Sequence, residues 1–390
     1  MSNVVDDVLY IATPEALAGL CERLRGVPWL ALDTEFIREK TYYPQLCLIQ
    51  LATPDVVACI DPLTLSDLGP LLDLLHEPSI LKVLHAASQD LEILCRLRDG
   101  IPPAPVFDTQ IAATLLGHGE QVGYATLVQA MLGIELDKSQ TRTDWSQRPL
   151  APEQIRYAAD DVRHLCRVYE SQRQALEQQD RLAWLEPDFQ ALADPARYRT
   201  EPLEAWRRVK GCQQLRGVQL NVLRTLAAWR EEQAVASNRP RRWILGDDVL
   251  FDLARLMPRD LERLARIRSL DGSTLRRHGD ALLALIQAAR QAPESSWPRL
   301  PARQHLSSAQ EALVDVLQAL LRLRGAEHGV SPQLLAGRKE LESLVLGDAE
   351  VPLLQGWRAR LAGQEVQALL RGERCLRIEN GALRILPVAD

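Results

Sequence analysis

The first 175 residues alternate two patterns of apolar and polar positions. The runs "VLYIA" (8–12), "WLALDTEF" (29–36), "QLCLIQLA" (45–52), "VVACI" (56–60) and "ILKVLHA" (80–86) are short, apolar and bounded by turn-forming residues, so they read as strands. The stretches "TPEALAGLCERL" (13–24), "LGPLLDLLH" (68–76) and "SQDLEILCRL" (88–97) repeat their apolar positions every three or four residues and read as helices. Thr13 suits the N-cap of the first, with Pro14 at its first helical position. "PAPVFDTQIAATLLG" (103–117) reads as the start of further helices. Three strands at hairpin spacing, then strand–helix alternation, predict a mixed sheet covered by helices.

From about Glu201 the strand signal stops. "LNVLRTLAAWREEQAVASN" (220–238), "DVLFDLARL" (248–256), "RDLERLARI" (259–267) and "GDALLALIQAARQ" (279–291) are helical by period. A Pro/Ser-rich linker, "APESSWPRLPA" (292–302), precedes a second helical run over 308–347. The two helical regions share a weak repeat, a long helix and then a short one. The pattern predicts an α/β N-terminal domain followed by two all-α helical-bundle domains.

Composition leaves that picture in place and narrows the setting. The chain has 390 residues, 46% hydrophobic and 25% charged, as expected of a multidomain globular protein. It shows no apolar run of about 18 residues, so no membrane span is expected. Acids near the start argue against an export signal. Seven cysteines in no paired pattern suggest free thiols in a reducing cytoplasm. The net charge of −6 is uneven: Glu204 to Arg277 carries 16 basic and 9 acidic residues. The remainder beyond balances, so the first 203 residues are strongly acidic. An acidic region suits divalent cations and a basic one suits phosphates, although two solvated surfaces would give the same count.

The chemistry starts in "WLALDTEF". Strand side chains alternate, so Asp33 and Glu35 share one face while Leu32 and Thr34 point to the other. Adjacent carboxylates repel and resist burial unless a cation joins them. Oxygen-only ligands select Mg²⁺ or Mn²⁺ over zinc. Taken alone, D-x-E also fits a strand end reaching solvent. Asp90 follows a later strand, in the first turn of a helix, where an acid also suits the helix dipole. In "PEQIRYAADDVRHLCRVYE" (152–170), Tyr157 and Asp161 lie four apart and share a face. Ile155, Ala159, Val162, Cys166 and Tyr169 form the apolar stripe. At about 100° per residue Asp161 falls nearer that stripe, and Asp160 falls toward solvent.

D-x-E on a strand, a later Asp, and Y-x-x-x-D on a helix together resemble the DEDD exonuclease superfamily, tyrosine subclass. "ALDTEFIREKTYYPQLCLIQLA", "VLHAASQDLEIL", "FDTQIAATLLG", "GYATLVQAMLGIELDKSQTRTDWSQRPL", "YAADDVRHL" and "AWRRVKG" are similar to the bacterial ribonuclease D family. The helical regions resemble that family's two C-terminal HRDC modules, the second more divergent. The resemblance implies a ribonuclease H-like 3′→5′ exonuclease domain over 1–200, an HRDC domain over 205–292 and an HRDC-like domain over 301–390. It implies that Asp33, Glu35, Asp90 and Asp161 bind two divalent cations, Mg²⁺ or Mn²⁺, and that Tyr157 orients the attacking water. The implied activity is metal-dependent exoribonuclease trimming of structured RNA, releasing 5′-mononucleotides, with precursor tRNA 3′ ends as substrate. A DNA exonuclease of the same superfamily is the alternative, because no residue visibly reads a 2′-hydroxyl.

Substrate contacts are expected from the loop 136–149, where Lys138, Arg142 and Arg148 surround Trp145. Cations suit phosphates and a ring suits stacking, and the other reading is a structural loop whose Trp packs on the sheet. His85 is a candidate for substrate contact, or a strand-end histidine with its nitrogens satisfied. Asp108 could assist the metal or cap the following helix, and the cap is preferred. In "SNRPRRWIL" (237–245), Arg239, Arg241, Arg242 and Trp243 are candidates for gripping a nucleic-acid backbone. RNA is the expected partner, with no membrane and no obligate protein partner, and a cytoplasmic monomer is expected.

Overall fold

A computed structural model describes residues 3–5, 7–137, 140, 143–300 and 305–388. The chain forms two compact units. One comprises Met1–Glu35, Cys47–Arg197 and Gln304–Asp390, and the other Phe36–Leu46 and Tyr198–Arg303.

The first unit is built on a mixed seven-stranded sheet. Its strands are β1 (Asn3–Val5), β2 (Val8–Ile11), β3 (Trp29–Ile37), β4 (Gln45–Thr53), β5 (Val56–Ile60), β6 (Leu81–Leu84) and β7 (Val106–Asp108). Their spatial order is β1-β2-β5-β4-β3-β6-β7. β3 pairs in parallel with β6, and β6 with β7. Leu30, Ala31 and Leu32 of β3 are fully buried, as a strand covered on both faces must be. The acids therefore fall at its C-terminal end, where the cover opens.

The helices follow their caps and periods. Thr13 accepts from the Ala16 amide at 3.3 Å and opens α1 (Pro14–Leu24). α2 (Gly69–Leu75), α3 (Ser88–Leu97), α4 (Thr109–Leu115) and α5 (Tyr124–Leu132) then lead to α6 (Pro152–Gln178). α6 buries the expected stripe Ile155, Ala159, Val162, Cys166 and Tyr169. The strands β1 and β7 lie outside the sequence reading, since three residues are too few to show a period.

The second unit is helical: α7 (Val218–Ala236), α8 (Arg241–Ile244), α9 (Asp247–Leu256), α10 (Leu261–Ala265) and α11 (Gly272–Gln291). Trp206, Leu223, Leu250 and Leu282 lie in its core. The chain after β3 belongs to this unit and is anchored there. The Tyr42 hydroxyl donates to Glu231, which is 1% exposed. Arg241 grips both Glu231 oxygens at 2.5 and 2.6 Å and donates to the Tyr42 hydroxyl at 2.9 Å.

The C-terminal helices Ser308–His328, Arg338–Val345 and Gln364–Leu370 belong to the sheet's unit. Trp184 stacks on Trp357 at 5.5 Å, with ring planes 7° apart, and Arg181 donates to the His328 carbonyl at 2.6 Å. This region departs from an all-α pattern at its end. A hairpin of β8 (Arg374–Glu379) and β9 (Ala382–Pro387) follows the last helix. Its strands, RCLRIE and ALRILP, lack a strict two-residue alternation, and the sequence reading passed over them.

Arg241→Ala leaves a buried carboxylate without its cation. It is expected to cost about 3 kcal/mol, read as a lower midpoint in chemical denaturation, and an unchanged midpoint would contradict the anchoring role.

Candidate active site

β3 delivers Asp33 and Glu35 to the same side of the sheet, and α6 delivers Asp161 against them. One carboxylate oxygen from each lies within 4.8 Å of the others. It is the one such group of metal-ligating side chains among the described residues. Asp90, the third residue of α3, is buried beside it and accepts from the Thr34 hydroxyl at 2.5 Å. Thr34 was expected to point away from the acids. Its hydroxyl instead links β3 to Asp90, so the fourth carboxylate is tied to the strand carrying the first two.

Burial pushes every one of these carboxyls up. Glu35 reaches about 9 through burial and the charges of Asp33, Asp161 and Asp90. Asp161 rises to about 8 through burial, Asp33 and Asp160, partly offset by the hydrogen bond from Tyr157. Asp33 rises to about 6 through burial, offset by the Thr34 amide. Asp90 is also raised, by burial and then by Asp33. Four acids that resist ionising together are half a site: a divalent cation supplies the missing charge. The donors are all carboxylate oxygens, without Cys or His among the converging ligands, so the set suits a hard ion such as Mg²⁺ or Mn²⁺.

A cleft of about 370 Å³ opens over the acids, lined also by Thr34, His85, Tyr124, Asp137, Tyr157 and Leu165. Tyr157 hydrogen-bonds Asp161 from one turn away and leans on Trp145, ring centroids 6.1 Å apart. Tyr124, absent from the sequence reading, donates to the Asp161 main-chain carbonyl and faces His85 at 5.2 Å. No periodicity marks it, because it opens a short helix after Gly123. A larger cleft of about 810 Å³, lined by Trp29, Ile101, Phe107, Tyr169 and Phe189, lies elsewhere in this unit and gathers no carboxylate cluster.

Several expected substrate contacts have other duties. Trp145 is 3% exposed and props Tyr157, so it offers no open face for a base. Arg148 binds both Asp61 oxygens at 2.6 and 2.7 Å and the carbonyls of Trp145, Gln147 and Cys47. All five of its N–H groups are engaged, which leaves none for a phosphate. Arg241 likewise serves Glu231 and Tyr42. His85 lines the cleft but is held, with Nε2 at 3.0 Å from the Val122 carbonyl and Nδ1 at 3.0 Å from the Thr109 hydroxyl. Burial lowers its pKa. Asp160 pairs with Arg163 at 2.5 Å near the surface. Lys138 and Arg142 lie outside the described residues. In the helical unit, Arg242 is exposed and Trp243 is 54% exposed. They line a pocket of about 430 Å³ with Arg38, Tyr42 and Arg208.

A protein of Granulibacter bethesdensis named ribonuclease D is 43% identical over 380 residues, covering 96% of this chain and 96% of the relative. The chain belongs to the ribonuclease D family. The ribonuclease D of Gluconacetobacter diazotrophicus is 42% identical over 384 residues, covering 98% of this chain and 97% of its own. The family described as 3′-5′ exonuclease matches residues 8–177, and the HRDC domain family matches residues 219–286. The crystal structure of Escherichia coli RNase D, described as an exoribonuclease involved in structured RNA processing, matches with a TM-score of 0.83 and 36% identity. It covers 93% of this chain and 98% of that one. A Bifidobacterium adolescentis protein, 23% identical, shares the fold with a TM-score of 0.71, covering 94% of this chain and 97% of its own. As a ribonuclease D family member the chain is a nuclease, a hydrolase of phosphodiester bonds. Asp33, Glu35, Asp90, Tyr157 and Asp161 all fall inside the exonuclease match. Divalent-metal use goes with that family, and the acid cluster fits it.

The shifted carboxyls give a pH test. In the folded, metal-free chain they hold protons up to about 6, 8 and 9, whereas unfolded carboxyls lose theirs near about 4. The folded state thus binds more protons across that window, and its stability falls as pH rises through it. A bound cation removes the penalty. The rise in Tm caused by Mg²⁺ over chelator is therefore expected to grow from pH 5.5 to pH 9, and a rise that stays flat with pH would count against the cluster as the metal site.

Proposed function

We propose that this chain is a 3′→5′ exoribonuclease that trims the 3′ ends of structured RNA and releases 5′-mononucleotides, with precursor tRNA as its substrate. Three carboxylates within 4.8 Å in a ribonuclease D family chain carry this reading. Asp33, Glu35, Asp90 and Asp161 would hold two divalent cations. When bound, such ions polarise a phosphodiester, acidify a water and stabilise the departing oxygen.

The chain's own residues supply the positioning. β3 holds Asp33 and Glu35 in fixed register, and Thr34 fixes Asp90 beside them. Tyr157, braced by Trp145, presents its hydroxyl from one turn before Asp161 and would orient the attacking water. Tyr124, Leu165 and His85 form the walls that receive the terminal nucleotide. Domain limits of 1–200, 205–292 and 301–390 go with this reading. So does a cytoplasmic monomer needing no protein partner. Among the described residues no helix is long and apolar enough to cross a membrane.

Arg242, Trp243 and Arg208 would take the RNA backbone in the helical unit, in place of the engaged Arg241. Loss of one phosphate contact lowers the salt slope by about 0.7. Arg242→Ala is expected to show that drop in binding titrations across salt, with turnover at saturating RNA unchanged.

The deciding assay is digestion of a tRNA bearing extra 3′ nucleotides, with Mg²⁺ or Mn²⁺ and with chelator, beside a matched DNA. Preference for the DNA would shift the reading to a DNA exonuclease. Asp33→Asn is expected to abolish cleavage while leaving the metal-free fold at least as stable, since it removes one repelling acid. Full activity in that variant would sink the metal assignment. Tyr157→Phe keeps the ring against Trp145 and loses the hydroxyl. It is expected to lower kcat about 100-fold with little change in KM.

A further inference from the structure

Asp108 lies at the end of β7, opposite Leu84 at the end of β6, and is 3% exposed. The chain between β6 and α3 turns sharply there, and Ala86 takes a left-handed φ of 55°. A side-chain-bearing residue holds that conformation only when neighbouring contacts impose it. The contacts come from one carboxylate. Asp108 Oδ1 accepts from the Ala86 amide at 3.0 Å, and Oδ2 accepts from the Ala87 amide at 2.9 Å. Oδ1 also accepts from the Gln110 amide at 2.8 Å, which caps α4.

Capping needs one of these bonds, and the cap was the expected duty. The other two bonds face the opposite way, into the turn that launches α3. Ala87 is the residue before that helix, and Asp90 is its third member. The turn therefore sets where Asp90 emerges, while Thr34 sets how its carboxylate is turned. A carboxylate suits this place because all three neighbours are donors and both its oxygens are acceptors.

We propose that Asp108 is a positioning residue for the reaction: through the Ala86 and Ala87 amides it fixes the helix start that presents Asp90 to the metal site. This rests on the proposed role of Asp90 as a ligand. Outer partners of metal ligands typically change metal affinity 10–100-fold when removed.

Two substitutions separate this duty from capping. Asp108→Asn keeps Oδ1 for Gln110 and Ala86 and turns an NH₂ toward the Ala87 amide. Asp108→Ser keeps an N-cap hydroxyl but loses the carboxylate oxygens that serve the turn. The measurement is Mn²⁺ uptake by the full-length chain without RNA, by titration calorimetry, with circular dichroism as the check on folding. Asp108→Ser is expected to bind Mn²⁺ about 10-fold more weakly, and Asp108→Asn less weakly than that. KM for RNA should stay at the wild-type value, and kcat should recover at high Mn²⁺. Wild-type Mn²⁺ affinity in folded Asp108→Ser would overturn the proposal, and so would failure of both variants to fold. A wild-type chain that takes up no Mn²⁺, or an Asp33→Asn chain that takes it up normally, would instead overturn the reading of the acids as a metal site.

Discussion

Four carboxylates that repel one another govern this structure. Packed together and shielded from water, they would separate if the backbone let them. It does not, because each is fixed to a rigid element. Asp33 and Glu35 sit on a strand buried through Leu30, Ala31 and Leu32, and Asp161 sits on a helix sealed by Ile155, Val162 and Tyr169. The core thus holds a concentrated acidic site, and burial together with the charges of Asp33, Asp161 and Asp90 raises the pKa of Glu35.

Around that site the polar contacts are mostly braces. Thr34 holds Asp90, Asp108 holds the turn before it, Tyr124 holds the main chain at Asp161, and Trp145 backs Tyr157. Arg148 fixes the loop that carries Trp145 by binding Asp61 and three carbonyls. Among the described residues near the site, Trp145 and Arg148, which have obvious affinity for bases or phosphate, are thereby committed to support. Among the described residues, those facing the cleft are the acids, a tyrosine hydroxyl and mostly uncharged walls, which suits a site whose cations would carry the electrostatic work on the substrate.

The helical regions serve different ends. In the second unit, Glu231 and Arg241 clamp Tyr42 and with it the chain leaving β3. The basic excess of that region is thus partly internal, with Arg242, Trp243 and Arg208 left at the surface pocket. The C-terminal helices join the sheet's unit through the Trp184–Trp357 stack.

The sequence by itself did not show α5 or the β8–β9 hairpin, but it determined most of the strands and helices up to α11, the α6 stripe, and the choice of Asp161 over Asp160. Those follow from local period, which needs no partner to be read. Period also showed that Asp33 and Glu35 share a face and that Asp161 lies toward the buried stripe; that these acids meet was implied by the family resemblance and is seen only in the fold. Only the tertiary structure decided what the polar residues near them do. Trp145, Arg148 and Arg241 look like substrate contacts in one dimension, because a free and an engaged arginine have the same letter. Nothing in the sequence pairs them with their partners Tyr157, Asp61 and Glu231, which are adjacent in space. The same holds for Thr34 and Asp108: a hydrogen bond between residues 56 apart, or across two strands, has no local signature, so its role exists only once the chain has folded.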